Sequence, residues 1–323
     1  MFDFSIFRGG YDRAKVNVLK SILTCIIILH HLAPMGFDDL KTIALFGNFV
    51  MWLFFAMSGY GLVYSYIKNE NYIDGFLKRS LLKLFIPYFI ALVAFVVYRF
   101  IEGIDQFELF KTKGLYSFVP TSWYIYVLGY FYVFYFVIFR YCKKNMTVKV
   151  LLLCCSIFAY CFIAPRIGVE SWRYNRCPGF CIGALMALAN STIIERFNKK
   201  HIFCLLSMLF IATCFILKFS MVKLFSPVVY SMALLFLFLS MYLFDLPKCL
   251  KESKIINFIS SISLEMFIIQ YIALYVVVDD LAIKSTWFAI VLVFVIDIAC
   301  AYLMNFMVKR IRQMFVYPQK CSK

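Results

Sequence analysis

Apolar runs about twenty residues long recur along the whole chain. Ten of them lie near residues 16–35, 43–66, 81–100, 122–140, 149–164, 177–191, 202–219, 226–244, 256–278 and 286–308. A helix of about 20 apolar residues crosses the hydrocarbon core of a bilayer, and it satisfies its own backbone polar groups there. The chain is 64% hydrophobic, whereas soluble domains average roughly 45–50%. The pattern predicts an all-α polytopic membrane protein with about ten transmembrane helices.

The distribution of positive charge predicts how these helices are oriented. With the N-terminus inside, the inside loops hold most of the 33 Lys and Arg residues, and none holds fewer than three. Cytoplasmic loops carry such an excess, so we expect both termini in the cytoplasm, with short basic tails near 1–15 and 309–323. No loop is long enough for a separate soluble domain, so residues 1–323 are expected to form a single membrane-embedded domain. No cleavage site follows the first apolar run, so that span is expected to be retained.

Net charge and cysteine usage exclude two classes of function. The net charge is +16, and basic loops that touch anionic lipid account for it. We find no nucleic-acid motif and expect no nucleic-acid partner. The twelve cysteines are scattered and form no C-x-x-C motif, so we interpret them as small apolar fillers and expect no metal site.

Polar residues inside apolar runs are costly, roughly 2.5–3.5 kcal/mol for a charge at the bilayer centre, so each of them suggests a functional hypothesis. The candidates are Lys20, His30, His31, Glu265, Gln270 and Asp297. Lys20 and His31 are eleven residues apart, close to three helical turns, so they share a helix face with a rise of about 16 Å between them. His30 is rotated about a quarter turn from that face. A cation at the cytoplasmic end and a base deeper in the membrane would suit a long ligand with an anionic head. In the simpler alternative Lys20 is a snorkelling anchor and the histidines are interfacial.

Two further segments have both a structural and a functional interpretation. Ser58, Gly59 and Gly61 are small residues within the second apolar run, where they permit close helix packing or close approach of a ligand. Arg79 and Lys83 belong to a basic cluster before the third span. They are either ordinary cytoplasmic charges or a second group of phosphate ligands.

Six short motifs together resemble one family. They are "LKSILTCIIILHH", "LFFAMSGYGL", "FLKRSLLKLFIPY", "TSWYIYVLGYFY", "PGFCIGALMA" and "ISLEMFIIQ", in this order across residues 20–270. Each motif is weak alone, but six in order are specific. The chain resembles the acyltransferase 3 family of integral-membrane acyltransferases.

The resemblance implies roles for individual residues. His31, rather than His30, follows the basic position after ten residues, so it corresponds to the catalytic histidine. Lys20 stands where the family usually has Arg, a change that loses bidentate phosphate geometry. Lys20, Arg79 and Lys83 are expected to bind the phosphates of acyl-CoA.

The same comparison places the remaining motif residues. Ser58, Gly59 and Tyr60 match the family's signature turn, and Trp123 belongs to the Trp-containing fourth span. Glu265 stands where some members have Glu. Gln270 replaces a frequent His, so no second histidine is expected there. The outer loops that contain Trp123, Arg173 and Arg176 are expected to border a sugar site.

The resemblance implies an O-acyltransferase of the plasma or inner membrane. Its donor substrate is expected to be cytosolic acyl-CoA, most simply acetyl-CoA, with no tightly bound cofactor. Its acceptor is expected to be a hydroxyl of a cell-surface polysaccharide or a lipid-linked glycan precursor, so the reaction is polysaccharide O-acetylation. His31 would act as a general base or as a transient acyl carrier, and His30 has no assigned role. Oligomeric state is not readable.

Two other classes of protein stay open. A polytopic protein with buried polar groups also suits a membrane transporter or a flippase for a glycan or another polar substrate. Against transport, we find no inverted repeat and few charges inside the spans. The other alternative is a structural assembly protein, but such a role would not explain why Lys20 and His31 share one helix face.

Overall fold

The structure, a computed structural model, describes residues 12–44, 46–103, 118–192, 207, 236, 238–241 and 245–316. Every long element within these ranges is helical, and they contain no strand. The helices are α1 (Arg13–Leu32), α2 (Lys41–Ala44), α3 (Gly47–Lys68), α4 (Phe76–Ile101), α5 (Ser122–Tyr141), α6 (Met146–Ile163), α7 (Ser171–Tyr174), α8 (Pro178–Thr192), α9 (Lys248–Lys251), α10 (Lys254–Ser261), α11 (Ser263–Tyr275) and α12 (Thr286–Val316).

Six helical segments are long and apolar enough to cross a membrane. They are Arg13–Met35, Phe49–Lys68, Phe76–Ile101, Ser122–Tyr141, Met146–Ile167 and Thr286–Met314, and the pair Lys254–Ser261 and Ser263–Asp280 makes a seventh if it counts as one bent span. These segments confirm an all-helical membrane protein. The sixth predicted span corresponds to α8, which has only 15 residues. The seventh and eighth predicted spans, near 202–219 and 226–244, lie almost wholly outside the described residues. The count of ten and the orientation therefore stay predictions.

Large apolar side chains on the outer faces of the helices fit a lipid environment. On α12, Val291, Val295 and Leu303 are each about 60% exposed, and Phe100 at the end of α4 is 79% exposed. Water would penalise apolar faces of this size, whereas lipid tails solvate them.

The chain divides into two compact units. The first comprises Met1–Asn71 and Lys143–Ser260, and the second comprises Tyr72–Cys142 and Ser261–Lys323.

Close packing of α3 against α8 dominates the first unit. A β-carbon added to Gly183 would lie 1.8 Å from the carbonyl oxygen of Ala56, and one added to Gly59 would lie 2.1 Å from that of Phe180. Only glycine lets the two backbones approach so closely. The packing interpretation is thereby confirmed for Gly59 alone, because a β-carbon at Gly61 would meet nothing within 4 Å.

The expected signature turn at Ser58–Tyr60 is wrong. These residues lie in the middle of α3, which is helical from Gly47 to Lys68. A turn would leave backbone N–H and C=O groups without partners inside a membrane span. A continuous helix satisfies them, while Gly59 still permits the close contact.

A network of polar side chains joins α1 to α10 in the first unit. Asn17 Nδ2 donates to Asn257 Oδ1 at 2.8 Å, and Ser260 Oγ donates to Asn17 Oδ1 at 3.0 Å. One turn further along α1, Ser21 Oγ donates to the carbonyl of Ile256 at 2.8 Å. This network holds the first half of α1, the part that carries Lys20.

The second unit consists of α4, α5, α11 and α12. Its core holds large aromatic residues with no exposure, among them Phe95, Phe131 and Tyr135. α11 and α12 pack against each other and both contact α4. This packing places polar residues of three helices within reach of one another.

Candidate active site

Lys20 and His31 lie on one uninterrupted helix. α1 is helical from Arg13 to Leu32, so the eleven-residue separation places both side chains on the same face, about 16 Å apart along the axis. Both are half-buried. The two side chains can share a face only if the helix between them is continuous, and the structure confirms this continuity.

The two adjacent histidines have different surroundings. Their ring centroids are 4.9 Å apart, with the planes inclined by 59°. His30 packs directly on the backbone of Gly47, because a β-carbon there would lie 2.1 Å from Cγ of His30. His30 therefore fills the contact between α1 and α3.

Arg176 approaches His31 from the loop between α7 and α8. Its guanidinium lies within electrostatic range of the His31 imidazole, as does His30. Burial lowers the pKa of Arg176 below its ordinary value, and the Cys177 thiol opposes this in part. A guanidinium stays protonated nonetheless, and its partial desolvation strengthens its interaction with nearby charge. The imidazole of His31, on the last turn of α1, therefore lies within electrostatic range of a cation from another part of the first unit.

Trp172 organises the loop that carries Arg176. The guanidinium carbons of Arg173 and Arg176 lie 4.9 Å and 5.7 Å from the centroid of its ring, within the range of cation–π contacts. Arg173 also pairs with Glu170 at 2.9 Å. Trp172 therefore holds together Arg173, on α7, and Arg176, in the loop that follows, and Arg176 lies within electrostatic range of His31.

The other signature residues of the first unit belong to α3. Tyr60 is 2% exposed and stacks on Tyr64, with ring centroids 5.3 Å apart. Ser58 is half-buried. Their predicted part in the site is not tested by these contacts.

In the second unit, Arg79 holds the segment that precedes α4. Its Nη1 donates to the carbonyl of Asp74 at 2.7 Å and its Nη2 donates to that of Tyr72 at 3.0 Å. The carboxylate of Asp74 accepts from Arg140 at 2.5 Å. Arg79 thus has a structural role, and its predicted phosphate contact stays a prediction.

Lys83 and Glu265 do come together. Glu265, in the first turn of α11, is 5% exposed and accepts a hydrogen bond from Asn305 Nδ2 at 2.9 Å. The ammonium groups of Lys83 and Lys309 lie within electrostatic range of its carboxylate. Lys83 itself is exposed. Glu265 is therefore a buried acid shared between an amide and two cations.

Trp123 lies at the start of α5 and is 8% exposed. Its ring packs edge-on to that of Tyr124, with centroids 6.0 Å apart, and Tyr124 packs on Phe267 in the same way at 5.3 Å. The predicted link between Trp123 and a sugar site stays a prediction.

Two polar residues singled out in the sequence are completely buried in the second unit. Gln270 Nε2 donates to the carbonyl of Phe267 at 2.8 Å. Asp297 has no exposure, and neither of its carboxylate oxygens has a hydrogen-bond partner in the described part of the chain.

Among the described residues, no group of three or more His, Cys, Asp or Glu side chains is arranged to hold a metal ion.

Sequence reasoning missed three residues that contact or influence the candidate site residues His30, Glu265 and Lys83. Gly47 was not singled out, although a glycine at the start of a span is a signal for close packing. Asn305 is a polar residue inside an apolar run, the same signal that identified Asp297. Arg312 was counted only as part of a basic tail, but its guanidinium lies within electrostatic range of Lys83.

The chain matches a protein-family model over most of its length. The Acyl_transf_3 family model, described as an acyltransferase domain, matches residues 13–306. No curated relative and no solved structure matches the chain.

Proposed function

Because the chain belongs to the acyltransferase 3 family and is therefore a membrane acyltransferase, we propose that it O-acetylates a glycan. The donor is cytosolic acetyl-CoA, and the acceptor is a hydroxyl of a cell-surface polysaccharide or of its lipid-linked precursor, at the plasma or inner membrane. The observation that carries this proposal is the geometry of α1. One face of this helix presents Lys20 and His31, with the Arg176 guanidinium within electrostatic range of His31.

His31 serves as the catalytic group in either of two mechanisms. As a general base it takes the proton of the acceptor hydroxyl while the oxygen attacks the thioester carbonyl. The C–S bond then breaks, and the imidazolium returns its proton to the CoA thiolate. As a carrier, the imidazole itself attacks the thioester carbonyl, the C–S bond breaks, and the departing CoA thiolate takes up the ring proton. The acceptor hydroxyl then attacks the acyl-imidazole, its proton passes to the imidazole that leaves, and the ester forms.

Arg176 supports both mechanisms. Negative charge develops on the carbonyl oxygen in each, and a fixed, partly desolvated cation stabilises such charge in the transition state. Its place in an ordered loop avoids the reorganisation that a mobile side chain would require. Arg173 and Trp172, in the same loop, are proposed to border the sugar.

The phosphates of acyl-CoA are assigned to basic residues. Lys20 stands on the face of α1 that leads to His31, so the extended arm between the phosphates and the thioester can follow that face. Arg79 and Lys83 are proposed separately as phosphate ligands in the second unit. Both residues are exposed, and the Arg79 guanidinium already donates to two backbone carbonyls.

Transfer of label from donor to glycan tests the proposal. The purified chain in lipid nanodiscs is incubated with radiolabelled acetyl-CoA and alkali-treated surface polysaccharide from the encoding organism. We expect alkali-labile label in the glycan, with a roughly 10²–10⁴-fold loss in His31→Ala, the range for removing a general base. His30→Asn is the matched control and should lose less, because His30 has a packing role.

Two results would overturn the proposal. Full activity of folded His31→Ala would exclude His31 as the catalytic group. Absence of both acetyl-CoA binding and label transfer would favour a transporter. Label retained on the protein when the acceptor is omitted, and absent from His31→Ala, would select the acyl-carrier mechanism.

A further inference from the structure

A cluster of three cations in the second unit has an excess of positive charge. It consists of Lys83 on α4 with Lys309 and Arg312 on α12, and we call it the Lys83 cluster. Lys309 and Arg312 are three residues apart, so they are neighbours on the helix surface. Lys83 lies within electrostatic range of both Arg312 and Glu265, and Glu265 lies within range of Lys309. Lys83 and Lys309 therefore share one carboxylate, and Arg312 adds a third positive charge beside Lys83.

The single carboxylate is already engaged. Glu265 is 5% exposed and accepts from Asn305 Nδ2 at 2.9 Å. Part of its capacity to accept hydrogen bonds is thereby used within α11 and α12. Lys83 and Arg312 carry like charges and repel each other across α4 and α12.

An unsatisfied donor on Arg312 suggests that this residue binds a ligand. Its Nε is shielded from solvent and has no hydrogen-bond partner among the described residues. The residue as a whole is half-buried, so water does not reach this donor even though part of the side chain is accessible. A buried donor without a partner is costly, and a bound anion would satisfy the Nε and offset the like-charge repulsion in one step.

We infer that the Lys83 cluster binds a phosphate group, with Arg312 as a ligand beside Lys83. Arg presents its donors as a planar fork that matches phosphate, while Lys contributes a point charge. The inference rests on the proposed function for the source of the phosphate, namely the CoA moiety of the donor. The same chemistry is also presented by the headgroup of an anionic phospholipid.

The test measures the affinity of the purified full chain for CoA in nanodiscs that contain only phosphatidylcholine. Arg312→Gln should weaken CoA binding at least about tenfold, as expected for loss of a charge-assisted hydrogen bond. Arg310→Gln is the matched control. Arg310 lies on the same helix and is exposed, with its guanidinium 5.3 Å from the ring of Phe306, so its replacement should leave the affinity within about twofold.

A double-mutant cycle separates a shared ligand from a structural effect. If Lys83 and Arg312 hold the same phosphate, the loss in Lys83→Gln/Arg312→Gln should be smaller than the product of the two single losses. Independent losses would overturn the shared site. Arg312→Lys, which keeps the charge but loses the fork, should give an intermediate affinity, and it carries the test if Arg312→Gln does not fold.

The second arm identifies the source of the phosphate. The same variants are compared in nanodiscs that contain phosphatidylglycerol, with thermal stabilisation by that lipid as the readout. If Arg312→Gln removes this stabilisation and leaves CoA affinity unchanged, the phosphate site is correct and its ligand is lipid. If neither CoA binding nor lipid stabilisation depends on Arg312, the inference is wrong.

Failure of this inference is distinguishable from failure of the proposed function. If acetyl transfer, CoA binding and stabilisation by phosphatidylglycerol are all unchanged in Arg312→Gln, the Lys83 cluster is rejected as a phosphate site and the acyltransferase activity stands. If the wild-type chain transfers no acetyl group but binds inorganic pyrophosphate in an Arg312-dependent manner, the phosphate site is correct and the proposed acetyltransferase function is wrong.

Discussion

The imidazole of His30 lies against Gly47, so close that a β-carbon on Gly47 would sit 2.1 Å from Cγ of the ring. This contact joins the last turn of α1 to the first turn of α3. It separates the roles of two adjacent histidines, because His30 packs between helices while His31 faces Arg176.

Replacing Gly47 with Ala should damage both packing and activity. The new methyl group must displace the His30 ring, at a cost of about 1–3 kcal/mol for overpacking, and the shift passes to the neighbouring His31. Thermal unfolding and acetyl transfer would measure the two effects. Gly61→Ala is the control, since a β-carbon at Gly61 meets nothing within 4 Å. Equal behaviour of the two variants would contradict the packing role of His30.

Replacing Gly183 with Ala should separate α3 from α8. The β-carbon would lie 1.8 Å from the carbonyl oxygen of Ala56, and neither backbone can yield without moving a helix. We expect a clear drop in melting temperature, larger than that of Gly61→Ala. A melting temperature unchanged from wild type would show that the helices are not so closely packed.

Replacing Asn305 with Ala should destabilise the second unit. The change removes the amide that donates to Glu265 and leaves the 5%-exposed carboxylate with one partner fewer, at a cost of about 1–3 kcal/mol. In a Glu265→Gln background the carboxylate is already absent, so the further effect of Asn305→Ala should be smaller. Equal losses in the two backgrounds, measured by chemical denaturation, would argue against the pair.

The ion pair between Asp245 and Lys251 should make stability depend on pH. The hydrogen-bonded ammonium of Lys251, at 2.6 Å, lowers the pKa of Asp245 below its ordinary value. The stabilisation is therefore present above the unfolded pKa of about 4 and is lost as pH falls through the lower folded value. Both side chains are about a quarter exposed, so the pair contributes less than about 1 kcal/mol.

Melting curves at pH 7 and pH 3 measure this dependence. Lys251→Gln should melt below wild type at pH 7, and the difference should shrink at pH 3. Lys254→Gln, a change at an exposed lysine on the next helix, is the control and should show no such change. A difference for Lys251→Gln that persists at pH 3 would mean that charge is not its cause.

Cysteine labelling would test the predicted orientation. Cys249 is exposed and lies on α9, between two predicted spans and on the side predicted to be cytoplasmic. In a single-cysteine variant it should react with a membrane-impermeant maleimide only after the cells are permeabilised. Asp39→Cys, in a loop predicted to be external, should react with intact cells. The opposite pattern would invert the topology.

Much of the helical architecture could be predicted because it depends on local sequence. A span of apolar residues crosses a membrane as a helix whatever its neighbours are, and α1, α4 and α12 lie within a few residues of their predicted limits, although α12 extends to Val316. The shared face of Lys20 and His31 follows from helix periodicity alone. The signature turn at Ser58–Tyr60 was wrong, because the need for a satisfied backbone within the membrane outweighed a motif associated with a turn.

What the sequence by itself determined was the membrane-helical class, the family motifs and the alignment along α1. Tertiary structure decided which distant residues meet. It placed Arg176 beside His31, across nearly half of the chain, and His30 on Gly47. It also placed Asn305 on Glu265 and Arg312 near Lys83. Periodicity reports which residues share a face of one helix, but contacts between helices depend on how their surfaces pack, and that information is spread over all of the helices involved.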